Sequence, residues 1–205
     1  MTSTGHFDVI VLGGGQAGLT TAITAAENGA SVCILEIAPR AMRGGNTRHT
    51  RNLRPMHVSG AFPMDGAYGF DEYFDDLLRV TGGETDHALA ELTIRESEHA
   101  IAWLQDHGVA FQPPLSGTLH LGRTNAFFLG GGKALVNSLY RFADNLGVHT
   151  VYEATDIALN ISGARFIDLT YRLADNTHRI SGHSLVVAAG GFEANLDWLE
   201  EAWGP

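Results

Sequence analysis

Three glycines near the start of the chain have the spacing that a phosphate-binding backbone loop requires. Gly13, Gly15 and Gly18 follow the apolar run "FDVIVL" and precede a segment with helical periodicity. In such a loop the first glycine permits a tight turn, the second lets the backbone approach a pyrophosphate, and the third lets helix and strand pack closely. The helix N-terminus then offers unpaired N–H groups and about half a positive charge to the phosphates. This pattern predicts a dinucleotide-binding loop.

A carboxylate at the end of the next apolar run supports the same interpretation. Glu36 lies eighteen residues after Gly18, where a carboxylate can accept hydrogen bonds from ribose hydroxyls. Its negative charge would repel the additional phosphate of NADP. These residues alone do not decide between FAD and NAD, and a glycine turn with only a structural role is the alternative.

The second group of residues with chemical potential is a basic segment at residues 40–54. It contains five of the thirteen basic side chains of the protein: Arg40, Arg43, Arg48, Arg51 and Arg54. The formal net charge of -10 argues against a nucleic-acid-binding protein. Because salt screens exposed charges beyond about 8 Å, the segment would act only on its own neighbourhood. It can bind an anion or form a solvated loop, and we expect Arg40 and Arg54 to be surface charges.

Other residue types exclude several classes of site. Cys33 is the single cysteine and lies in the apolar run "SVCILE", so we expect a buried, inert thiol. The histidines lack the spacing of metal ligands, and we expect no metal site. The sequence has no basic region near its start, and its longest apolar runs have the length of strands. We therefore expect no signal peptide or transmembrane segment, and a cytoplasmic location.

The elements that must position these residues follow from hydrophobic periodicity. Residues 7–36 read as a strand, a helix from Gln16 and a second strand, which together form a βαβ unit. Helices are predicted at 70–80, 86–107 and 132–146. From Val151 apolar and polar residues alternate, which predicts strands, and a last apolar strand covers 185–189. We expect an α/β fold in one domain, with a helical insertion over about 62–112 and a helix with an antiparallel β-meander over about 131–192.

A longer motif points to a known family. The glycine string continues through Ala22, Ala25, Gly29 and Val32 to Glu36 and is followed by "RGGNT". This string resembles the FAD-binding start of the fumarate reductase and succinate dehydrogenase flavoprotein superfamily. The runs "LGGGKALVNSLYRFADNLGV" and "VVAAGGFEAN" are similar to later elements of that superfamily. The resemblance implies a Rossmann-like FAD-binding domain of the glutathione-reductase type, with a parallel sheet, an antiparallel β-meander and inserted helices.

The resemblance also assigns cofactor-binding residues. The FAD-linking histidine of succinate dehydrogenases falls near Asn46, so the FAD is expected to be bound without a covalent link. We assign fourteen residues to the cofactor: Gly13, Gly15, Gln16, Ala17, Gly18, Glu36, Gly44, Gly45, Asn46, Thr47, Asp156, Ala189, Gly190 and Gly191.

The continuation "RHTRN" concerns the substrate. It resembles tricarballylate dehydrogenase and also the flavoprotein half of a precorrin-3B synthase. The first resemblance implies oxidation of tricarballylate to cis-aconitate, with His49 and Arg51 on the substrate side, and an iron–sulfur protein as electron-transfer partner. A precorrin-type oxygenase, a fumarate reductase-like enzyme acting on a dicarboxylate, and a non-catalytic dinucleotide-binding fragment are the alternatives.

Length sets one further expectation. Members of the superfamily are longer than these 205 residues, and their capping domain and C-terminal portion supply residues that hold the substrate and close over the flavin. We expect both portions to be absent here, as in a fragment, a truncated reading frame or one part of a split protein. Little or no turnover is expected from this chain alone.

Overall fold

A computed structural model describes residues 2–115, 120–193 and 195–204, with side chains from residue 5 onward. The chain forms two compact units, one of residues 1–47 and 143–205 and the other of residues 48–142. In chain order the elements are β1 (Thr2–Leu12), α1 (Gln16–Glu27), β2 (Val32–Glu36), a 3-10 helix (Gly45–His49), β3 (Asn52–Leu53), α2 (Phe70–Thr81), α3 (His87–Glu96), a 3-10 helix (Ser97–His99), α4 (Ala100–Asp106), α5 (Leu121–Thr124), β4 (Ala126–Phe127), α6 (Gly131–Asn145), β5 (His149–Tyr152), β6 (Thr155–Ser162), β7 (Arg165–Leu173), β8 (Asn176–Val187) and α7 (Leu196–Trp203).

The first unit contains a six-stranded sheet in the order β5-β2-β1-β8-β7-β6. Strands β5, β2, β1 and β8 are parallel, whereas β6, β7 and β8 form an antiparallel meander. Strand β8 therefore belongs to both parts of the sheet. The α/β fold class, with a parallel sheet and an antiparallel meander, is confirmed.

Helix α1 packs on strands β1 and β2. Its residues Leu19, Ala22 and Ile23 are fully buried, and their spacing places them on one helical face. The buried parts of these strands, residues 10–12 of β1 and 32–35 of β2, are continuous apolar runs, as expected for parallel strands shielded from water on both faces. This packing fixes the position at which β1 ends and α1 begins.

A second apolar cluster joins the meander to the parallel strands. Its buried members are Ile10, Leu12, Cys33, Leu35, Ala154, Leu169, Tyr171 and Ile180. Burial raises the pKa of the Cys33 thiol to about 12, so the thiol stays protonated at neutral pH. The expectation of an inert cysteine agrees with this environment.

Two expectations about the strands are wrong. The run that begins at Val151 is not one meander strand, because the chain turns at Glu153 with φ 61°, and β5 before the turn pairs in parallel with β2. The apolar strand expected at residues 185–189 is not separate from the meander, because it is the end of the single strand β8, which ends at Val187. Gly182 does not interrupt it; an added Cβ there would lie 2.9 Å from the carbonyl oxygen of Phe7. The glycine permits close approach of two strands.

The second unit contains helices α2 to α5, most of α6 and the short antiparallel pair of β3 and β4. The single helix expected at 86–107 is divided by the 3-10 turn Ser97–His99. The Ser97 hydroxyl donates to the carbonyl of Ile94 and accepts from the N–H of Met56, at 2.6 and 2.8 Å. Such side-chain bonds to the backbone compete with regular helix.

Within the described part of the chain, every helix is too short or too polar to cross a bilayer.

Candidate cofactor-binding site

The glycine loop connects β1 to α1, and its three predicted glycines have different local surroundings. An added Cβ would lie 2.4 Å from the Ala188 carbonyl oxygen at Gly13, and 1.9 Å from the Gly13 carbonyl oxygen at Gly18. Gly13 also has φ 98°, which disfavours any other residue. The protein's own packing therefore requires glycine at both positions.

Gly15 differs because the surrounding protein leaves room for a side chain. It has φ -79°, and an added Cβ would lie 3.4 Å from Thr47 Oγ1 and 3.5 Å from the Gly44 carbonyl oxygen. These are ordinary van der Waals separations, so neither backbone strain nor overlap explains a glycine here. Close approach of a ligand to the backbone does explain it, as in the loops that bind a pyrophosphate.

The first turn of α1 lies next to this opening. Gly15 is the N-cap and provides no side-chain cap, while the Gln16 N–H donates to Thr47 Oγ1 at 3.0 Å. Gln16 Oε1 is buried without a hydrogen-bond partner among the described residues. A buried acceptor of this kind calls for a donor from a ligand or from water. A helix N-terminus with such an acceptor suits the hydroxyls and phosphates of a dinucleotide.

Glu36 joins three backbone segments around the loop. Its carboxylate accepts N–H groups of Gly14 at 3.1 Å, Gly44 at 3.3 Å and Ala38 at 2.9 Å, and the residue is 4% exposed. Sequence reasoning assigned this carboxylate to ribose hydroxyls and did not anticipate its bonds within the protein. Glu36 therefore organises the loop and is also positioned where β2 ends.

The segment "GGNT" folds beside the glycine loop. Gly44 and Gly45 have φ of 101° and 51°, and the 3-10 helix follows through Asn46 and Thr47. Asn46 is exposed, whereas Gly44 is buried. The positive φ angles explain why this segment needs two successive glycines, and the turn delivers the Thr47 hydroxyl to α1.

The sequence gives Arg43 no role beyond its membership of the basic segment at residues 40–54. Its guanidinium donates to the hydroxyl of Tyr152 at 2.8 Å and lies 5.9 Å from the centre of that ring. Tyr152 ends β5 opposite Glu36, so the bond anchors the start of the "GGNT" segment to the sheet. No short-range signal could have indicated a partner so distant in sequence.

Four more assigned residues follow strand β1 or strand β8 of the same sheet. Ala17 is exposed in the first turn of α1, and Ala189, Gly190 and Gly191 are exposed directly after β8. The N–H of Ala188 donates to the Leu12 carbonyl at 2.8 Å, which holds this connection beside the glycine loop.

Asp156 lies on the meander, two residues after Ala154, whose N–H donates to the Glu36 carbonyl at 3.1 Å. The Asp156 side chain forms an ion pair with Arg172 at 2.6 Å, and both side chains are more than half exposed. Because Ala154 is hydrogen-bonded to the last residue of β2, Asp156 lies near the end of that strand. The Asp156 carboxylate, however, points to Arg172. Its cofactor role stays a prediction.

His49 and Arg51 belong to the second unit, where both are exposed. The backbone of Arg51 is held in place, since its carbonyl accepts the Phe128 N–H at 3.0 Å. Next to it, the Thr50 carbonyl accepts the Gly132 N–H at 2.7 Å. The two expected surface charges, Arg40 and Arg54, are exposed as well. A substrate role for His49 and Arg51 stays a prediction.

A βαβ unit with this glycine loop, a carboxylate at the end of β2 and a parallel sheet joined to a meander define a dinucleotide-binding domain. The family model "FAD binding domain" matches residues 8–205. The chain belongs to this family of FAD-binding domains.

Curated relatives and solved structures agree with this family. Over 92% of the chain, 26% of residues are identical to an NADH:fumarate oxidoreductase of Klebsiella pneumoniae (strain 342), and 21% of that protein is covered. A vinyl phenol reductase of Lactiplantibacillus plantarum is 26% identical over 95% of the chain and 40% of its own length. A flavocytochrome c3 fumarate reductase in an open conformation has a TM-score of 0.80 and 20% identity, over 97% of this chain and 36% of its own. The chain thus spans less than half the length of each.

Proposed function

We propose that this chain is the FAD-binding portion of a flavin-dependent oxidoreductase that acts on a small carboxylate. The observation that carries the proposal is Gly15, a glycine at the α1 N-terminus that the surrounding protein does not require. What supports the oxidoreductase activity is the similarity to relatives named for reduction of fumarate and of vinyl phenol. Both compounds contain a carbon–carbon double bond, the bond type that dehydrogenation of tricarballylate would form.

The residues divide into three groups in this proposal. Gly15, Gln16 and Ala17 take the pyrophosphate at the helix N-terminus, and Glu36 holds the ribose while it braces the loop. The other contacts to the cofactor come from Gly44, Gly45, Asn46, Thr47, Asp156, Ala189, Gly190 and Gly191. Residues 62–112 form an insertion between the βαβ unit of residues 7–36 and the helix and meander of residues 131–192.

Tricarballylate is the substrate that the "RHTRN" resemblance favours. Bound FAD would supply the group that accepts a hydride when tricarballylate becomes cis-aconitate, while a general base would take the proton from the neighbouring carbon. The contribution of this chain is to hold the cofactor and to present the Arg51 guanidinium and the His49 imidazole to carboxylates, because charge-assisted hydrogen bonds such as those of arginine are the strong ones. The electrons then require an acceptor, for which we propose an iron–sulfur protein. A fumarate reductase-like activity is the second candidate, favoured by the relative named for fumarate.

The first test is cofactor binding by the purified chain. FAD should bind and should be released by acid precipitation, because Asn46 cannot form the histidine link of succinate dehydrogenases. Quenching of flavin fluorescence measures the affinity, with NAD and NADP as competitors. Preference for NADP over FAD would overturn the assignment.

The second test separates the substrates without requiring turnover. Tricarballylate and fumarate are titrated into the flavin-loaded protein, and the change in flavin absorption is recorded. The proposal expects saturable perturbation by tricarballylate at lower concentration than by fumarate. The reverse order would favour the fumarate reductase-like alternative, and perturbation by neither would contradict a carboxylate site on this chain.

A further inference from the structure

Two histidines separated by 177 residues meet on the face formed by β1 and β8. His6 Nε2 lies 3.3 Å from His183 Nε2, and the rings are nearly perpendicular, with centroids 4.7 Å apart. The pairing of the strands explains this contact, because His6 is opposite Ser181 and β8 continues in parallel to His183. Residues two apart on a strand project from the same face.

The other nitrogen of each ring has its own partner. His183 Nδ1 lies 3.2 Å from Asp8 Oδ1, and His6 Nδ1 lies 3.0 Å from Ser181 Oγ. The Asp8 carboxylate also accepts the N–H and the hydroxyl of Ser31, at 2.8 and 2.7 Å. An ionised carboxylate is only an acceptor, so His183 donates from Nδ1 and its neutral form keeps a lone pair on Nε2.

This arrangement matches the surroundings of metal-bound histidines. Such histidines donate their second ring nitrogen to a carboxylate or another acceptor, which orients the ring and fixes its tautomer. Imidazole nitrogens bound tetrahedrally to zinc at about 2.0–2.1 Å lie about 3.3–3.4 Å apart. The observed 3.3 Å between the two Nε2 atoms is therefore the separation that two ligands of one ion would have.

We propose that His6 and His183 bind one divalent transition-metal ion through their Nε2 atoms. The ion is of the zinc, nickel or copper class, which imidazole ligands suit. Within the described chain, no group of three or more His, Cys, Asp or Glu side chains could hold a metal, so water completes the coordination. His183 and Asp8 side chains are 71% and 45% exposed, which leaves room for that water.

Metal binding changes the tautomer of one ring. Without metal, one of the two facing nitrogens must carry the proton of their hydrogen bond, and the Asp8 contact assigns that proton to His6 Nε2. With metal, both Nε2 atoms use their lone pairs, so His6 carries its proton on Nδ1 and donates to Ser181 Oγ. The ion then joins the two strands in place of the hydrogen bond.

The proposed metal site is separate from the cofactor site. Asp8 and His6 precede Gly13 by five and seven residues on β1, or about 17 to 23 Å along an extended strand. Metal binding and FAD binding can therefore be measured independently, and failure of one proposal leaves the other intact. Sequence patterns predict no such site because its two ligands lie at opposite ends of the chain.

The test is calorimetric titration of tag-free protein with Zn²⁺ as its chloride. Wild-type protein should bind one ion per chain, and His6→Gln and His183→Gln should each weaken binding at least tenfold. Asp8→Asn should weaken it by about tenfold, the lower end of the effect of residues that orient a metal ligand. His99→Gln is the matched control, because His99 is exposed and belongs to the other unit.

Wild-type affinity in His183→Gln, or an equal loss in His99→Gln, would overturn the proposal and indicate non-specific binding. Absence of Zn²⁺ binding to wild-type protein would overturn it as well. Should a variant fail to fold, NMR of the wild-type imidazoles provides the second measurement: Zn²⁺ should shift the resonances of His6 and His183 and leave those of His99 unchanged. FAD affinity should be the same with and without Zn²⁺.

Discussion

The glycine loop at residues 13–18 and the segment at residues 48–54 are fixed in different ways. In the loop, contacts within the protein fix the backbone on both sides of Gly15, since Gly13 and Gly18 have no room for a Cβ and Glu36 binds the N–H of Gly14. In the segment, backbone bonds hold Thr50 and Arg51 while the side chains of His49 and Arg51 are exposed. A ligand site made of backbone would thus be formed before the ligand binds, whereas a site made of long, exposed side chains would acquire its geometry only with the ligand.

The largest effect is expected at Gly18. In Gly18→Ala the added Cβ would lie 1.9 Å from the Gly13 carbonyl oxygen, so strand and helix must separate. We expect the free energy of unfolding to fall by about 3 kcal/mol, at the upper end for overpacking, as measured by urea denaturation of FAD-free protein. The control is Gly69→Ala, where φ is -77° and nothing lies within 4 Å of the new Cβ. Equal stability of the two variants would show that α1 does not pack against the loop as described.

The variant Gly15→Ala should lose FAD affinity without losing stability. In Gly15→Ala the new methyl group meets only ordinary contacts at 3.4 and 3.5 Å, so FAD-free protein should unfold at nearly the wild-type urea concentration. FAD affinity should fall at least tenfold, because the methyl group occupies the space of the approaching pyrophosphate. Fluorescence titration measures it, and unchanged affinity would remove the main observation behind the FAD site.

The difference between positions fixed by backbone geometry and positions fixed by other contacts explains how much of the fold could be predicted from the sequence. Glycine spacing and apolar runs predict the end of β1, the start of α1 and the end of β2, because backbone geometry dictates residue type directly. The start of β1 was not predicted, since the strand begins at Thr2, five residues before the apolar run. The break at Glu153 with φ 61° has no such signature, since a glutamate rarely adopts that conformation. The continuity of β8 through Gly182 was equally hidden, because a glycine in a strand signals either interruption or close approach.

Within the candidate site, contacts distant in sequence were the part that could not be predicted. The bonds from Gly14 and Gly44 to Glu36 join positions 22 and 8 residues apart, and that from Arg43 to Tyr152 spans 109. Residue type alone does not select among so many possible partners. Glu36 was therefore expected at the end of β2, where it lies, but without the backbone groups that it holds, and its contact with a ribose stays a prediction.

Glu36→Gln should have an intermediate effect. The amide keeps the shape of the side chain but replaces one acceptor oxygen by a donor, which then faces a backbone N–H of the loop or of Ala38. We expect FAD affinity to fall by about 1–3 kcal/mol, the range for a hydrogen bond to a charged group. Urea denaturation of the FAD-free variant, recorded beside the fluorescence titration, separates weakened ribose binding from a weakened loop. Wild-type FAD affinity would place the ribose elsewhere.

The smallest effect is expected at Arg51, and it should appear only with substrate. Because the side chain is exposed, its contact with a carboxylate is worth about 1 kcal/mol, as for other exposed ion pairs. Arg51→Ala should therefore raise the dissociation constant of tricarballylate about fivefold, measured from flavin absorption, and leave FAD affinity unchanged. Arg51→Lys should be impaired too, since a lysine cannot make the paired hydrogen bonds of a guanidinium. Arg40→Ala is the control, because Arg40 is also exposed but is assigned to the surface. If Arg51→Ala binds tricarballylate as tightly as Arg40→Ala does, residues 48–54 are a solvated loop. The glycine loop would then be the binding site of the pair, and residues 48–54 would be protein surface.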